Sequence, residues 1–268
     1  MMIGDRVLKT SKDIVFVKLG GSFITYKNKF YSINFVALKN SVKILRKVIN
    51  EYNILLGNGG GSFAHPIVLC GEESVSTLVK CQEATRDLNH LIVDYLVNNG
   101  ITAVSFQTSA IIYEGKQGLK VFVEPIKIAL RNNVVPVVYG ECIHSLARVF
   151  RVLSTEDVFL ELSKHIKPVR VVLLTDVKGV YDRDPTKYND AELIRIIDKN
   201  NYEDVIDKIS KNASTDATGG IVSKVVKMYN LSCKIGAPIH IVSGFDVENT
   251  IRAIKGEEFI GTTIKCAD

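Results

Sequence analysis

The stretch IVFVKLGG, Ile14 to Gly21, is a short β-branched apolar run that ends in a lysine and a pair of glycines. An amphipathic helical pattern follows over 33–52, and NILLGNGG, Asn53 to Gly60, then repeats the apolar run with its terminal glycines. A second long helical pattern covers 74–98. Apolar strands alternating with amphipathic helices are the βαβ signature of a mainly parallel sheet covered by helices, because strands buried on both faces lose the polar alternation of a one-sided sheet. The middle of the chain departs from it. TAVSFQTSAIIYEGKQGLKVFV (102–123) holds two apolar runs around EGKQG, and CIHSLARVFRVLS (142–154) reads as extended segments around a turn, so hairpins are expected there. Alternation resumes with a helix near 155–166, the strand VRVVLLTD (169–176), a helix from Gly220 to Ile235, PIHIVSG (238–244), a helix near 246–255 and FIGTTI (259–264). The expected fold is α/β, an open αβα sandwich with a mainly parallel central sheet and inserted β-hairpins. Two lobes, 1–165 and 166–268, are expected to share that one sheet.

Composition narrows the function classes. The chain has 268 residues, 46% apolar and 24% charged, which is ordinary for a globular protein. Its net charge of +5 is spread along the sequence rather than gathered into a basic patch, so it suits a small anionic ligand and not a nucleic acid. The 5 cysteines are odd in number, far apart and without a CxxC pair, and read as reduced thiols of a cytoplasmic protein. The start MMIGDRVLKTSKD is charged and has no apolar centre, so no signal peptide is expected, and no apolar run is long enough to span a membrane. No His/Cys spacing fits a zinc site, and no resident metal is expected.

Four glycine-rich segments carry the chemistry. In KLGGSFITYK, Lys18 to Lys27, a strand lysine runs into Gly20, Gly21 and Ser22, where missing side chains let backbone N–H groups approach an anion. LLGNGGGSFAHP, Leu55 to Pro66, repeats this after the second strand, and a helix starting near Ser62 would aim its free N–H groups into the same space. A dinucleotide fingerprint is disfavoured, since the region about 20 residues on is helical and supplies no acidic strand end. A P-loop is excluded, since GxxxxGK[ST] is absent. TDVKGVYDRDP, Thr175 to Pro185, lies at the end of a buried strand, where open α/β sheets bind ligands, and offers Asp176, Gly179, Tyr181 and Asp182 to a sugar or base. DATGGIVSKV, Asp216 to Val225, opens a helix at Gly220 with Lys224 one turn in, on the same side. Together the loops describe a site for several phosphates in a row, with lysines neutralising the charge that spreads during phosphoryl transfer.

With KLGGS, GNGGGS, LLTDVKGVYDRDP and TGGIVSK in that order, the chain resembles the amino acid kinase superfamily from about Val15 to Ile264. Within it, the register of Lys18, Lys27, Gly60 and His65 is similar to that of isopentenyl phosphate kinases. The resemblance implies transfer of the ATP γ-phosphoryl group to isopentenyl phosphate, giving isopentenyl diphosphate and ADP in isoprenoid biosynthesis, by a homodimer, with Mg2+ entering only with the nucleotide. It implies that Lys18 and Lys224 hold the ATP phosphates, that Lys27 stabilises the transferring group, and that Gly20, Gly21, Ser22 and Gly61 supply backbone donors. His65 and Gly60 would grip the acceptor phosphate, with Thr155 near it. Asp157 would orient Lys18 and Lys224, and Asp176, Gly179, Tyr181, Asp182 and Gly220 would take the nucleoside end. Three departures from what the resemblance implies stand out: Asn58 replaces a common histidine, Thr155 and Glu156 replace Gly-Asp, and SFQTSAI, within 102–118, lacks the basic residue expected there.

Apolar residues of the 83–98 helix, such as Leu88, Ile92 and Tyr95, suit either a five-carbon pocket or an ordinary core. The other histidines, His90, His144, His165 and His240, read as packing or surface residues. Two further readings stay open. One is a kinase of this fold for another small phosphate, phosphonate or carboxylate; the other is a non-catalytic nucleotide-binding protein, which retention of Lys18, Lys27, Asp157 and Lys224 disfavours.

Overall fold

The computed structural model describes residues 12–26, 28–212 and 220–266. Lys27 and the segment 213–219 lie outside the described residues. In chain order, β1 (Ile14–Leu19) leads through the short α1 (Gly21–Ile24) to α2 (Phe35–Val48) and β2 (Asn53–Asn58). Next come α3 (Gly61–Cys70), α4 (Val75–Asn98), β3 (Ala103–Ser105) and α5 (Thr108–Ile111). A hairpin of β4 (Ile112–Gly115) and β5 (Gly118–Val121) precedes α6 (Glu124–Arg131) and β6 (Val135–Tyr139). A second hairpin, β7 (Glu141–His144) and β8 (Phe150–Leu153), leads into α7 (Thr155–Ser163) and β9 (Arg170–Thr175). The chain finishes through β10 (Ile196–Ile197), α8 (Tyr202–Asn212), α9 (Gly220–Ile235), β11 (Ile239–Ser243), α10 (Val247–Lys255) and β12 (Thr262–Ile264).

One 8-stranded sheet runs β10-β12-β11-β9-β1-β2-β6-β3. Its pairings are parallel except that of β11 with β12. Strand alternation divides the side chains between two cores. Val15, Val17 and Leu19 of β1 pack with Leu38, Leu45, Leu88 and Ile254 under α2, α4 and α10. Phe16 turns the other way, towards Phe159, Leu162, Val225 and Met228 under α7 and α9. Because Lys18 follows that second parity, it emerges at the α7 and α9 face of the strand's carboxyl end. Side-chain caps fix where the helices begin: Asn34 accepts from Val36 N–H (3.1 Å) and Ser74 from Thr77 N–H (3.1 Å).

Several expectations are revised. The predicted hairpin at 102–123 is smaller: Ala103–Ser105 joins the main sheet beside β6, and only β4 and β5 form the hairpin. Leu88 and Ile92 are fully buried in the core rather than lining a cavity, and Tyr95 meets the ring of Phe35. Four of the five cysteines do not stand as free thiols. Cys81 is disulfide-bonded to Cys142, and Cys233 to Cys266, because α4 packs against β7 and the end of α9 reaches the chain beyond β12. Sequence distance hid both pairs. Among the described residues no helix is long and apolar enough to cross a membrane.

Candidate active site

Two glycine loops meet backbone to backbone at the carboxyl edge of β1 and β2. A side chain on Gly21 would stand 2.8 Å from the Cα of Gly61, so both loops need bare backbone here. Gly61 also has φ +47, a left-handed conformation that side chains resist, and a Cβ there would strike the side chain of Thr25. Thr25 fastens the junction: its hydroxyl donates to Gly21 C=O (2.7 Å) and accepts from Ser62 N–H (3.0 Å). Gly20 N–H donates to Leu174 C=O (2.9 Å), which ties the first loop to β9. The starts of α1 and α3 are thus held side by side, and first-turn N–H groups have no acceptor within their own helix.

The charged groups converge on this nest. Lys18, opposite Gly57 in the β1–β2 register, is ion-paired with Glu156 in the first turn of α7. Burial pushes the Glu156 carboxyl up, but the charge and hydrogen bond of Lys18 reverse this, leaving its pKa below the ordinary carboxylate value. His65, one turn into α3, has its pKa lowered first by partial removal from water and then by the positive charges of Lys18 and Lys224, with Glu156 opposing. That field brings Lys18, His65, Glu156 and Lys224 into one electrostatic neighbourhood, although they come from four separate elements.

Other residues take different places from those the sequence suggested. Asp157 is not the partner of Lys18. It is the acceptor of the α7 capping box, taking Ser154 N–H (2.9 Å), and it forms an ion pair with Lys227 (2.9 Å). Glu156 is the carboxylate that the sequence reading missed. The signal was present, since Ser-x-x-Asp commits the fourth residue to the helix start and frees the third. Thr155 is 1% exposed and donates to Asn58 C=O (2.7 Å), so its hydroxyl is turned to packing instead of an acceptor. Asn58 itself faces α4, accepting from Asn89 (2.9 Å).

In the loop after β9, Asp176 is exposed and accepts from the Ser22 hydroxyl (2.7 Å), linking it to the first glycine loop. Asp182 is buried, accepts from Glu192 N–H (2.8 Å) and lies 3.4 Å from Lys208, so it holds its own loop rather than facing a sugar. Gly179 is needed for packing: a Cβ would meet Thr262 Oγ1 at 2.5 Å. Tyr181 bridges Leu193, and Gly220 opens α9. Lys27 falls outside the described residues.

Known proteins resemble this chain over most of its length. The amino acid kinase family model matches residues 13–243. The isopentenyl phosphate kinase of Methanothermobacter thermautotrophicus is 32% identical, covering 94% of this chain and 98% of that protein. That of Thermoplasma acidophilum is 29% identical over 94% of this chain and the whole of its own length, 100%. A crystal structure of an isopentenyl phosphate kinase superposes with a TM-score of 0.76 at 30% identity, covering 94% of this chain and 100% of that one. UMP kinase from Ureaplasma parvum, at 13% identity and a TM-score of 0.65 over 96% of this chain and 100% of its own, shares the fold.

Proposed function

Since the chain belongs to the amino acid kinase family, and is thus a phosphotransferase, we propose that it transfers the γ-phosphoryl group of ATP to isopentenyl phosphate. The observation that carries this reading is the joint field of Lys18 and Lys224 on His65, beside a nest made of Gly21 and Gly61 backbone. Two lysines, an imidazole and bare N–H groups at the carboxyl edge of the sheet suit two phosphoryl groups brought end to end.

An oxygen of the acceptor phosphate attacks the γ-phosphorus, the bond from that phosphorus to the β,γ-bridging oxygen breaks, and ADP leaves with the electron pair. The attacking oxygen is already ionised at neutral pH, so alignment and charge neutralisation suffice and no strong base is needed. Lys18 and Lys224 hold the ATP phosphates, with Lys27 assigned to the group in flight. Gly21, Ser22 and Gly61 provide backbone donors, the N–H of Gly20 being taken by Leu174 C=O, and His65 with Gly60 binds the acceptor phosphate. Residues 1–165 are assigned to the acceptor and 166–268 to the nucleotide, whose sugar end falls to Asp176, Tyr181 and Gly220. Among the described residues no group of three or more His, Cys, Asp or Glu is placed to hold a metal ion. Magnesium is assigned to the nucleotide phosphates, whose oxygens it bridges in phosphoryl transfer. A homodimer serving isoprenoid synthesis completes the reading; the two disulfides remove the reduced-thiol argument for a cytoplasmic place.

The test is ADP release with ATP and magnesium over isopentenyl phosphate, dimethylallyl phosphate, fosfomycin, UMP, carbamate and glutamate. Strong preference for isopentenyl phosphate is expected. Turnover confined to another acceptor would keep the kinase and discard this substrate.

A further inference from the structure

Lys227 has no place in the scheme above, yet it lies one helical turn beyond Lys224 on α9, and residues three apart share a helix face. Its ammonium lies 2.6 Å from Ser154 Oγ and 2.9 Å from Asp157 Oδ2. These are the two side chains of the α7 capping box: Asp157 N–H donates to Ser154 Oγ (3.2 Å), while Ser154 N–H and Oγ donate to Asp157 Oδ2 (2.9 and 2.7 Å). The turn so locked contains Thr155, bound to the β2 carbonyl of Asn58, and Glu156, ion-paired with Lys18. A continuous run of polar contacts therefore joins the helix of Lys224 to the strand of Lys18, and Lys227 is its link on the α9 side. The far end of α9 is fixed separately, by the disulfide from Cys233 to Cys266.

The geometry points to Lys227 as a positioning residue that sets the separation of the two phosphate-binding lysines, acting through the Ser154–Asp157 cap. The role rests on the kinase reading for Lys18 and Lys224, but it is tested through nucleotide binding, which needs no acceptor. A plain surface ion pair is the competing account, since the Lys227 and Asp157 side chains are 41% and 35% exposed and such pairs contribute little to stability.

The experiment is a double-mutant cycle on the full chain, with Lys227→Met, Lys224→Met and both together, reading ADP affinity with magnesium by calorimetry and the melting temperature alongside. Lys227→Met is expected to weaken ADP about tenfold, to add less than about twofold once Lys224 is gone, and to be largely rescued by Lys227→Arg. With ATP and a turned-over acceptor, the loss is expected in KM for ATP more than in kcat. Unchanged ADP affinity with a lowered melting temperature would overturn the proposal in favour of the plain ion pair. Fully additive losses would overturn it too, assigning Lys227 its own contact with the phosphates. Should Lys227→Met not fold, Asp157→Asn makes the same prediction. Failure of isopentenyl phosphate as acceptor would reject the substrate while leaving the binding cycle to decide on Lys227.

Discussion

Removal from water, and then the positive charges of Lys18 and Lys224, lower the pKa of His65 below the ordinary histidine value, and on the proposed reading its ring donates one N–H to the acceptor phosphate. A hydrogen bond to a charged phosphate oxygen contributes about 1.5–3 kcal/mol. Replacing His65 by Ala should therefore raise KM for isopentenyl phosphate by roughly 10- to 150-fold while ADP binds as before, measured by steady-state kinetics and calorimetry. Equal losses for both ligands would remove His65 from the acceptor side. Glu141 presents the opposite problem. It is buried, and burial pushes its carboxyl up to about 7 despite the donors of Ser109. Since its folded pKa lies above the unfolded 4.5, the associated stability is full below pH 4.5 and is lost as pH rises through about 7. Glu141→Gln should raise the melting temperature at pH 8, relieving on the order of 2–3 kcal/mol, and leave it unchanged near pH 4. An equal shift at both pH values would mean that ionisation is not the cause.

At the scale of elements, the meeting of α1 and α3 depends on the missing side chains. Gly61→Ala should lower stability by about 1–3 kcal/mol and weaken nucleotide and acceptor together, because strain at φ +47 and collision with Thr25 push both loops apart. Gly118→Ala is the comparison: it also has positive φ but meets nothing within 4 Å, so only the conformational part of the penalty should appear, read by chemical denaturation and ADP binding. These loops were legible in the sequence because glycine clusters interrupt apolar strands that have no polar alternation. β1, β2, β9 and β11 were legible for the same reason. β3 was not, since three residues on a sheet edge hold too little periodicity to separate them from the adjoining hairpin. α6 and β6, over 124–139, went unmarked because Glu124–Arg131 is a short helix and Val135–Tyr139 follows it after only a brief turn. The exchange of partners between Glu156 and Asp157 was hidden too: cap geometry decides it, and neighbouring carboxylates look alike in sequence.

Over the whole molecule, the two disulfides close segments separated by 61 and 33 residues. Chain-entropy arguments give about 4 kcal/mol for each. Cys81 and Cys142 are buried whereas Cys233 is exposed, so mild reduction followed by alkylation should label the Cys233–Cys266 pair first, and full reduction should lower the melting temperature further. Simultaneous labelling by mass spectrometry would mean that the two bridges open together. The order of strands has one more consequence, for the chain as it is being made. β1 pairs with β2 on one side, but its other edge waits for β9, where Val15 meets Arg170. While the ribosome is still adding the residues between them, the strand bearing Lys18 presents a row of unpaired N–H and C=O groups, flanked by apolar side chains, to any neighbouring nascent chain. Synthesis that pauses before residue 170 leaves that edge uncovered for longest, so slow translation there is where this protein is most exposed to aggregation and most in need of a chaperone.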